Sequence, residues 1–425
     1  MPERTSEHSL RRRPEGLIEE YAKLPRAIHL LCLGSLINRI GSFVMLFLAI
    51  YISEELGYGD EIAGYCLGIS GVGSVLATLA GGQLADQFGR RLLLLISLCG
   101  GAFLLVILSQ VQAPWLFMVT LFSFSLVAEM YRPASAAVVA DVTEESVRPA
   151  AFSLMFLSFN LGFALAPPIG GWLISFSWDW LFGIDALSTF MFGLVIYAWI
   201  PETRPAGPAA EPGQSREQAG AGFRGEWKFI LSDFNFLLFW CYCLLSNLVF
   251  MQAFITLPLY LRKMGFSEQE IGLVLCLNGV LIVLLQLPLT RWLKGVAWLP
   301  VLLLGQVLMA VGFGMTMWAE QLPILIVSII LWTLGEILHA PLKPELVMRM
   351  APDNMRARYM GLFQMSYSVS IAVGAPLGGL VLSRFGGNGL WGGSSILLLL
   401  AGGSLFPLHR RLQQRNAEDS TTAAG

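Results

Sequence analysis

Long apolar runs separated by short polar stretches dominate the chain from about residue 27 to residue 409. The runs are continuous, as across 92–108, with no alternation of apolar and polar residues. A run of about 20 apolar residues suits a helix that crosses a bilayer. Backbone groups in lipid must be satisfied within the protein, which leaves helices or closed barrels, and barrel strands alternate. The pattern therefore predicts an all-α integral membrane protein with twelve spans: 27–52, 61–86, 91–110, 114–140, 149–175, 180–200, 234–261, 267–291, 297–318, 322–349, 356–384 and 389–409. A polar segment 1–26 precedes two six-helix halves, 27–200 and 234–409. A linker, 201–233, joins them and a tail, 410–425, follows.

Composition agrees. Of 425 residues 55% are hydrophobic and 13% charged, against about 25% charged in soluble domains. Mean hydropathy is +0.66. Net charge is −2 and no basic tract extends beyond Arg11–Arg13, so nothing points to nucleic acid. The N-terminus lacks a signal-peptide pattern. All six cysteines fall in apolar runs, and Cys241 and Cys243 point to different helix faces. They read as buried thiols, with no metal site. No nucleotide-binding Gly-Lys-Thr or Gly-Lys-Ser and no nucleophile–base motif stands out, which disfavours an enzyme, a cofactor or ATP-driven pumping.

Lys and Arg set the orientation. With the N-terminus inside, the outer segments hold only Arg262, Lys263 and Arg384, and the other loop cations lie inside. Both termini are then cytoplasmic. Residues 201–224 read as a flexible Pro-, Gly- and Ala-rich tether. Residues 225–232 read either as a short interfacial helix anchored by Trp227 and Phe229 or as plain linker.

A shift of 208 positions lays Pro133 on Pro341, Arg148 on Arg356, and Pro168, Gly170 and Gly171 on Pro376, Gly378 and Gly379. A shift of 209 lays Asn38 on Asn247 and Tyr51 on Tyr260. Such repeats mark transporters whose halves are related by an axis along the membrane normal, with the substrate site between them near the midplane.

The loop after the second span reads Gly82-Gln-Leu-Ala-Asp86-Gln-Phe-Gly89-Arg90-Arg91. It resembles the signature loop of the major facilitator superfamily, with Gln87 where a basic residue is usual. The loop of the second half is degenerate, and Arg291 stands near the place of Asp86. The resemblance implies a conformational latch of Asp86, Arg90 and Asp141, with Gly82, Gly89 and Arg148 beside them, that holds an outward-open state. Independently, Gly82 and Gly89 allow close approach and a tight turn, and Asp86 lies at a helix end. In the fifth span, Gly162-Phe-Ala-Leu-Ala166-Pro167-Pro168-Ile-Gly170-Gly171 is similar to the antiporter motif of drug–proton antiporters in this superfamily, with Ala166 in place of a usual Gly. The prolines would bend the span and the glycines would admit the other half; ordinary small-residue packing uses the same residues.

Charges inside spans carry the remaining signal. A charge at the bilayer centre costs about 2.5–3.5 kcal/mol even on the lenient scale. Glu129 and Arg132 share a face of the fourth span and should face the cavity or each other. Glu336, His339 and Lys343 share a face of the tenth. The segment 334–341 resembles the tenth span of bacterial multidrug–proton antiporters, which carry a membrane-embedded Glu there. Low dielectric favours the neutral carboxyl, so Glu336 is the first candidate for proton coupling, with Glu129 beside it. Arg132, Arg39, His339 and Asp185 are candidate charge partners in the cavity. Arg39 would pair with Glu129, Glu336 or Asp185, or select anionic or zwitterionic substrates. His339 also suits a structural hydrogen bond, Lys343 snorkelling, and Asp185 a hydrated outer end. Asn38, Asn247, Met251, Phe254, Gln364 and Tyr367 are candidate lining of the substrate cavity.

Together these readings predict a proton-coupled exporter of lipophilic or amphipathic small molecules, working by alternating access in a bacterial inner membrane. The resemblance implies a monomer. Two alternatives remain: an uptake symporter for an anionic nutrient using Arg39 and Arg132, and a facilitator of lipid-like molecules.

Overall fold

The computed structural model describes residues 23–144, 147–203, 229–293, 295–352 and 355–424. The tether 204–224 and Trp227 lie outside the described residues, while Phe229 begins a helical turn that ends at Ser232. Among the described residues twelve apolar helices cross the molecule: α1 Arg26–Glu55, α2 Gly59–Phe88, α3 Arg90–Gln110, α4 Pro114–Val142, α5 Arg148–Ile174, α6 Trp178–Trp199, α7 Phe234–Ile255, α8 Glu268–Trp292, α9 Trp298–Trp318, α10 Leu322–Met350, and α11 and α12. The last two run through Arg356–Gly403 and part at Gly386, whose φ of 66° interrupts the helix. A final helix, α13, spans Leu405–Ala424, where the sequence pattern had suggested a plain tail.

The helix ends follow local chemistry. Pro114 starts α4, where its missing N–H is no loss. Ser177 caps α6 by accepting from Asp179 N at 3.0 Å, and Asp233 caps α7 by accepting from Phe236 N at 3.1 Å. Two spans are broken in mid-course. In α1 the chain leaves helical geometry between Ile40 and Val44, and the freed Val44 N–H donates to Asp185 Oδ2 of α6 at 3.1 Å. In α4 it turns at Met130, between Glu129 and Arg132.

Helices alternate in direction, so the loops after α2, α4, α6, α8 and α10 share one end, the latch end. The others share the far end. One apolar core at the far end includes residues of both halves, among them Phe47, Phe117, Phe313, Trp332 and Trp391. At the latch end each half has its own core: Ile28, Leu94, Val138 and Phe192 in the first, Phe239, Leu302, Val347 and Tyr359 in the second.

The seams between halves explain this shape. Along α5 and α8 a Cβ on Gly171 would lie 2.8 Å from Glu268 C, one on Gly272 2.8 Å from Pro167 C, and one on Gly279 2.6 Å from Ala164 Cα. Along α2 and α11 a Cβ on Gly64 would lie 2.7 Å from the Ala375 carbonyl, and one on Gly379 2.7 Å from that of Asp60. Both copies of the repeated Pro-x-Gly-Gly pattern thus lie in the seams, where backbones touch because no side chain intervenes. These close approaches fall toward the far end. Two turns further toward the latch end, Leu157 on the same face of α5 as Ala164 is 44% exposed, so the halves diverge there.

Gly279→Leu should destabilise the detergent-purified protein by about 1–3 kcal/mol, as overpacking does. Gly183→Ala in α6, with open space around it, should leave thermal stability unchanged or raised. Denaturation midpoints of the two variants check this.

Candidate functional site

The opening between the halves brings together charged residues from α1, α4 and α10 with aromatic and amide side chains from α5 and α8. On the first half Arg39 precedes the break in α1. Its guanidinium carbon lies 3.9 Å from the centroid of the Phe159 ring and 5.6 Å from that of Phe163. Gly162 makes room for it, since a Cβ there would come within 2.7 Å of Arg39 Cβ. Among the described residues Arg39 pairs with none of Glu129, Asp185 and Glu336, and its buried Nε has no hydrogen-bond partner. Glu129 is taken by Arg132 at 2.7 Å. The Arg132 side chain is 62% exposed although it stands deep in the span, so it reaches open space. Its guanidinium carbon is 5.9 Å from the Phe159 ring, which both arginines therefore share.

On the second half Glu336 is partly buried, and its Oε2 accepts from Asn278 Nδ2 of α8 at 2.9 Å. The same amide reaches Thr333 Oγ1 at 3.1 Å. No cationic side chain pairs with Glu336 among the described residues. Edge-to-face contacts close the opening toward the far end: Phe163 of α5 meets Phe254 of α7 at 5.3 Å, and Phe254 meets Phe250 at 5.3 Å. Phe250 in turn meets Trp332 at 6.1 Å. Met251 packs against this core.

Several predicted cavity residues turn elsewhere. His339 is buried and faces α9, with Nε2 3.0 Å from the Leu302 carbonyl and 3.3 Å from Tyr242 Oη. Lys343 is buried rather than snorkelling, with its ammonium 5.5 Å from the Tyr242 ring centroid. Glu336, His339 and Lys343 lie on one stripe of α10, yet the stripe is wide enough to meet α8, α9 and α7 in turn. Asp185 is not hydrated: it is 5% exposed and holds the break in α1. Asn247 joins α7 to α11 through Ser366 Oγ at 3.0 Å and is buried inside its own half, not in the cavity. Asn38 donates to Thr189 Oγ1 of α6 at 2.7 Å. Gln364 is exposed, and Tyr367 is partly buried 6.0 Å from the Phe363 ring.

At the latch end Arg90 Nε meets Asp141 Oδ2 at 3.1 Å, and Arg90 Nη1 donates to the Ala85 carbonyl at 3.3 Å. Gly89, at φ 101°, makes the turn that sets Arg90 at the head of α3. The side chains at Gly82 and Asp86 lie outside the described set. Arg148 Nη2 ends α4 by donating to the carbonyls of Ala140 at 3.0 Å and Thr143 at 3.3 Å. Two residues missed by the sequence reading join this cluster. Glu202 accepts from Arg90 N at 2.9 Å and Arg91 N at 3.2 Å, capping α3 from the start of the tether. Thr203 Oγ1 donates to Asp141 at 3.1 Å. The available signal was an acid placed directly after a span and near a helix N-terminus. Asn278 was missed as well, although an amide in an apolar span signals a partner.

At the far end the halves are clamped by charge. Arg262 Nε meets Glu54 of the other half at 2.9 Å, its Nη2 meets Glu268 at 3.3 Å, and Lys263 pairs with Asp60. The hydrogen bond to Glu54 raises the Arg262 pKa above its ordinary value.

A family model described as "Major Facilitator Superfamily" matches residues 31–296 and 261–424. A "Na(+), Li(+), K(+)/H(+) antiporter" of Planococcus maritimus is 30% identical over 373 residues, which cover 80% of this chain and 85% of that protein. A "Multidrug resistance protein MdtH" of Proteus mirabilis is 21% identical and covers 83% of this chain and 86% of its own length. A crystal structure of a peptide transporter, POT, in complex with sulfate superposes with a TM-score of 0.75 at 17% identity, covering 93% of this chain and 98% of that one. The last likeness is one of fold.

Glu202→Gln should loosen the head of α3 and lower stability by about 1 kcal/mol, the scale of a lost cap. Faster amide hydrogen exchange at the first turn of α3 than in the native chain checks it.

Proposed function

The chain belongs to the major facilitator superfamily, and from that premise we propose that it is a proton-coupled secondary transporter that exports lipophilic or amphipathic small molecules. Family membership makes it a multi-pass membrane transporter of small molecules. The finer reading rests on the opening. We place the latch end in the cytoplasm, because the loops at that end hold nearly all the loop Lys and Arg. The conformation is then inward-facing, in a bacterial inner membrane, and the working unit is a monomer.

The observation that carries the reading is Glu336, a carboxylate in the middle of α10 held by an amide and, among the described residues, paired with no cation. A carboxylate so placed is stable in either protonation state. Charged, it accepts from Asn278; neutral, it no longer needs a counter-charge. A proton arriving from outside neutralises Glu336 while the site faces outward, and its release to the cytoplasm restores the charge. Substrate bound from the cytoplasmic side leaves in the opposite direction. Each proton entering an inside-negative membrane contributes about 2.3 kcal/mol per 100 mV, besides the pH gradient. The latch around Arg90, Asp141 and Glu202 holds the first half's cytoplasmic end as one piece. The aromatic roof of Phe163 and Phe254 gives an apolar body a surface to lie against.

The Planococcus maritimus relative supports a second reading, exchange of Na+, Li+ or K+ for protons. That reading uses the same coupling carboxylate of this chain, Glu336, and differs in cargo.

Purified protein in liposomes with an imposed pH gradient tests both readings. The cargo is a fluorescent amphipath (ethidium as the cation, a naphthalenesulfonate as the anion) or an alkali cation. Native protein should move an amphipath against its gradient. Glu336→Gln should lose gradient-driven transport yet keep substrate counterflow, because Gln mimics the neutral acid. Gradient-driven transport unchanged in Glu336→Gln would sink Glu336 as the coupling group. Movement of alkali cations alone would replace the amphipath reading with the second.

A further inference from the structure

The opening contains one cation whose partner is missing. The Arg39 side chain makes no ion pair and no hydrogen bond among the described residues, and its Nε is buried. The acids of its own half are committed: Glu129 holds Arg132 at 2.7 Å, and Asp185 holds the Val44 N–H at 3.1 Å. Its closest contacts that favour the charge are ring faces, Phe159 at 3.9 Å and Phe163 at 5.6 Å, and the carboxylates of Glu129 and Asp185 act on it only at longer range. Cation–π contact offsets part of the cost of taking a guanidinium out of water, but it satisfies none of its five N–H donors. A planar fork of donors stacked on an aromatic face is preorganised for a carboxylate, sulfonate or phosphate oxyanion.

The surroundings have the same polarity. Arg39, Arg132 and Glu129 leave the first-half wall with an excess of one positive charge. The opposite wall carries the acid Glu336, held by Asn278. One turn of α5 from Phe159 toward the far end, Phe163 meets Phe254 across the seam at 5.3 Å and roofs the space with ring edges and faces. Gly162 lets α1 approach α5 closely enough to set Arg39 against Phe159.

We propose that Arg39 is the anchor for the anionic head of the transported molecule, and that the cargo is an amphipathic organic anion. Its oxyanion pairs with the Arg39 guanidinium, and its apolar body lies against Phe159, Phe163 and Phe254. This rests on the transporter reading above and names the cargo of that site. It concerns binding only and requires no particular coupling ion.

The test uses three ligands with one apolar body, 3-phenylpropanesulfonate, 3-phenylpropanol and 3-phenylpropylammonium, added to the full chain in detergent at pH 7. Thermal stabilisation reads the binding. The sulfonate should stabilise the native chain, and the alcohol and ammonium should do so much less. Arg39→Gln should weaken sulfonate affinity about tenfold or more, as loss of a charge-assisted pair does, while Arg39→Lys retains part of it. Gly183→Ala, in open space away from the opening, should bind the sulfonate as the native chain does. Equal stabilisation by all three ligands, no stabilisation by the sulfonate, or full sulfonate binding by a folded Arg39→Gln overturns the proposal. Gradient-driven transport that survives Glu336→Gln overturns proton coupling through Glu336 and leaves Arg39 untouched, so the two failures are distinct.

Discussion

A charge or an unpaired amide inside a bilayer has no water to turn to, so each must find its partner within the protein. The arrangement of the interior follows from that one constraint. Asp185 satisfies the amide released where α1 breaks, Asn278 satisfies Glu336, and Arg132 satisfies Glu129. Each pairing also joins helices or braces a turn, so satisfaction of the polar groups and assembly of each half are one process. Among the described residues Arg39 is an exception beside the opening, and exceptions to this rule in membrane interiors mark function.

The second requirement is that the halves touch firmly at one end and stay independent at the other. The structure meets it with residue size. Gly171, Gly272 and Gly279 on one seam, and Gly64 and Gly379 on the other, bring backbones into contact without interlocking side chains. Small residues make a seam that can close tightly and part cleanly, since no knob has to leave a hole. Toward the latch end bulkier residues such as Leu157 take over and the halves separate into two cores.

The spans were legible in the sequence because a bilayer imposes one dominant signal, apolar length, and nothing in the tertiary structure overrides it. The break at Gly386 was legible too, as the gap between two runs. The break in α1 was not, because the group that stabilises it is Asp185, 141 residues away. The site was partly legible. Helical spacing put Glu336, His339 and Lys343 on one stripe, and that is where they are. Spacing gives an angle on one helix, however, and not the identity of the neighbour at that angle. His339 therefore met α9 instead of the cavity, and Lys343 met Tyr242 instead of snorkelling. Glu202 was hidden by composition, because it begins a stretch whose Pro and Ala content reads as tether although its first residues are docked.

The far-end clamp is asymmetric in the charge it would strand. Arg262 touches a carboxylate on each half, Glu54 across the seam and Glu268 on its own side. When the halves part there, Arg262 keeps Glu268, and Lys263, already 45% exposed, can turn to water. Asp60 has neither resource. Its side chain is 6% exposed, and without Lys263 it retains the Ser53 hydroxyl at 2.7 Å. Separation of the halves at that end would therefore strand one buried carboxylate and neither of the cations that face it.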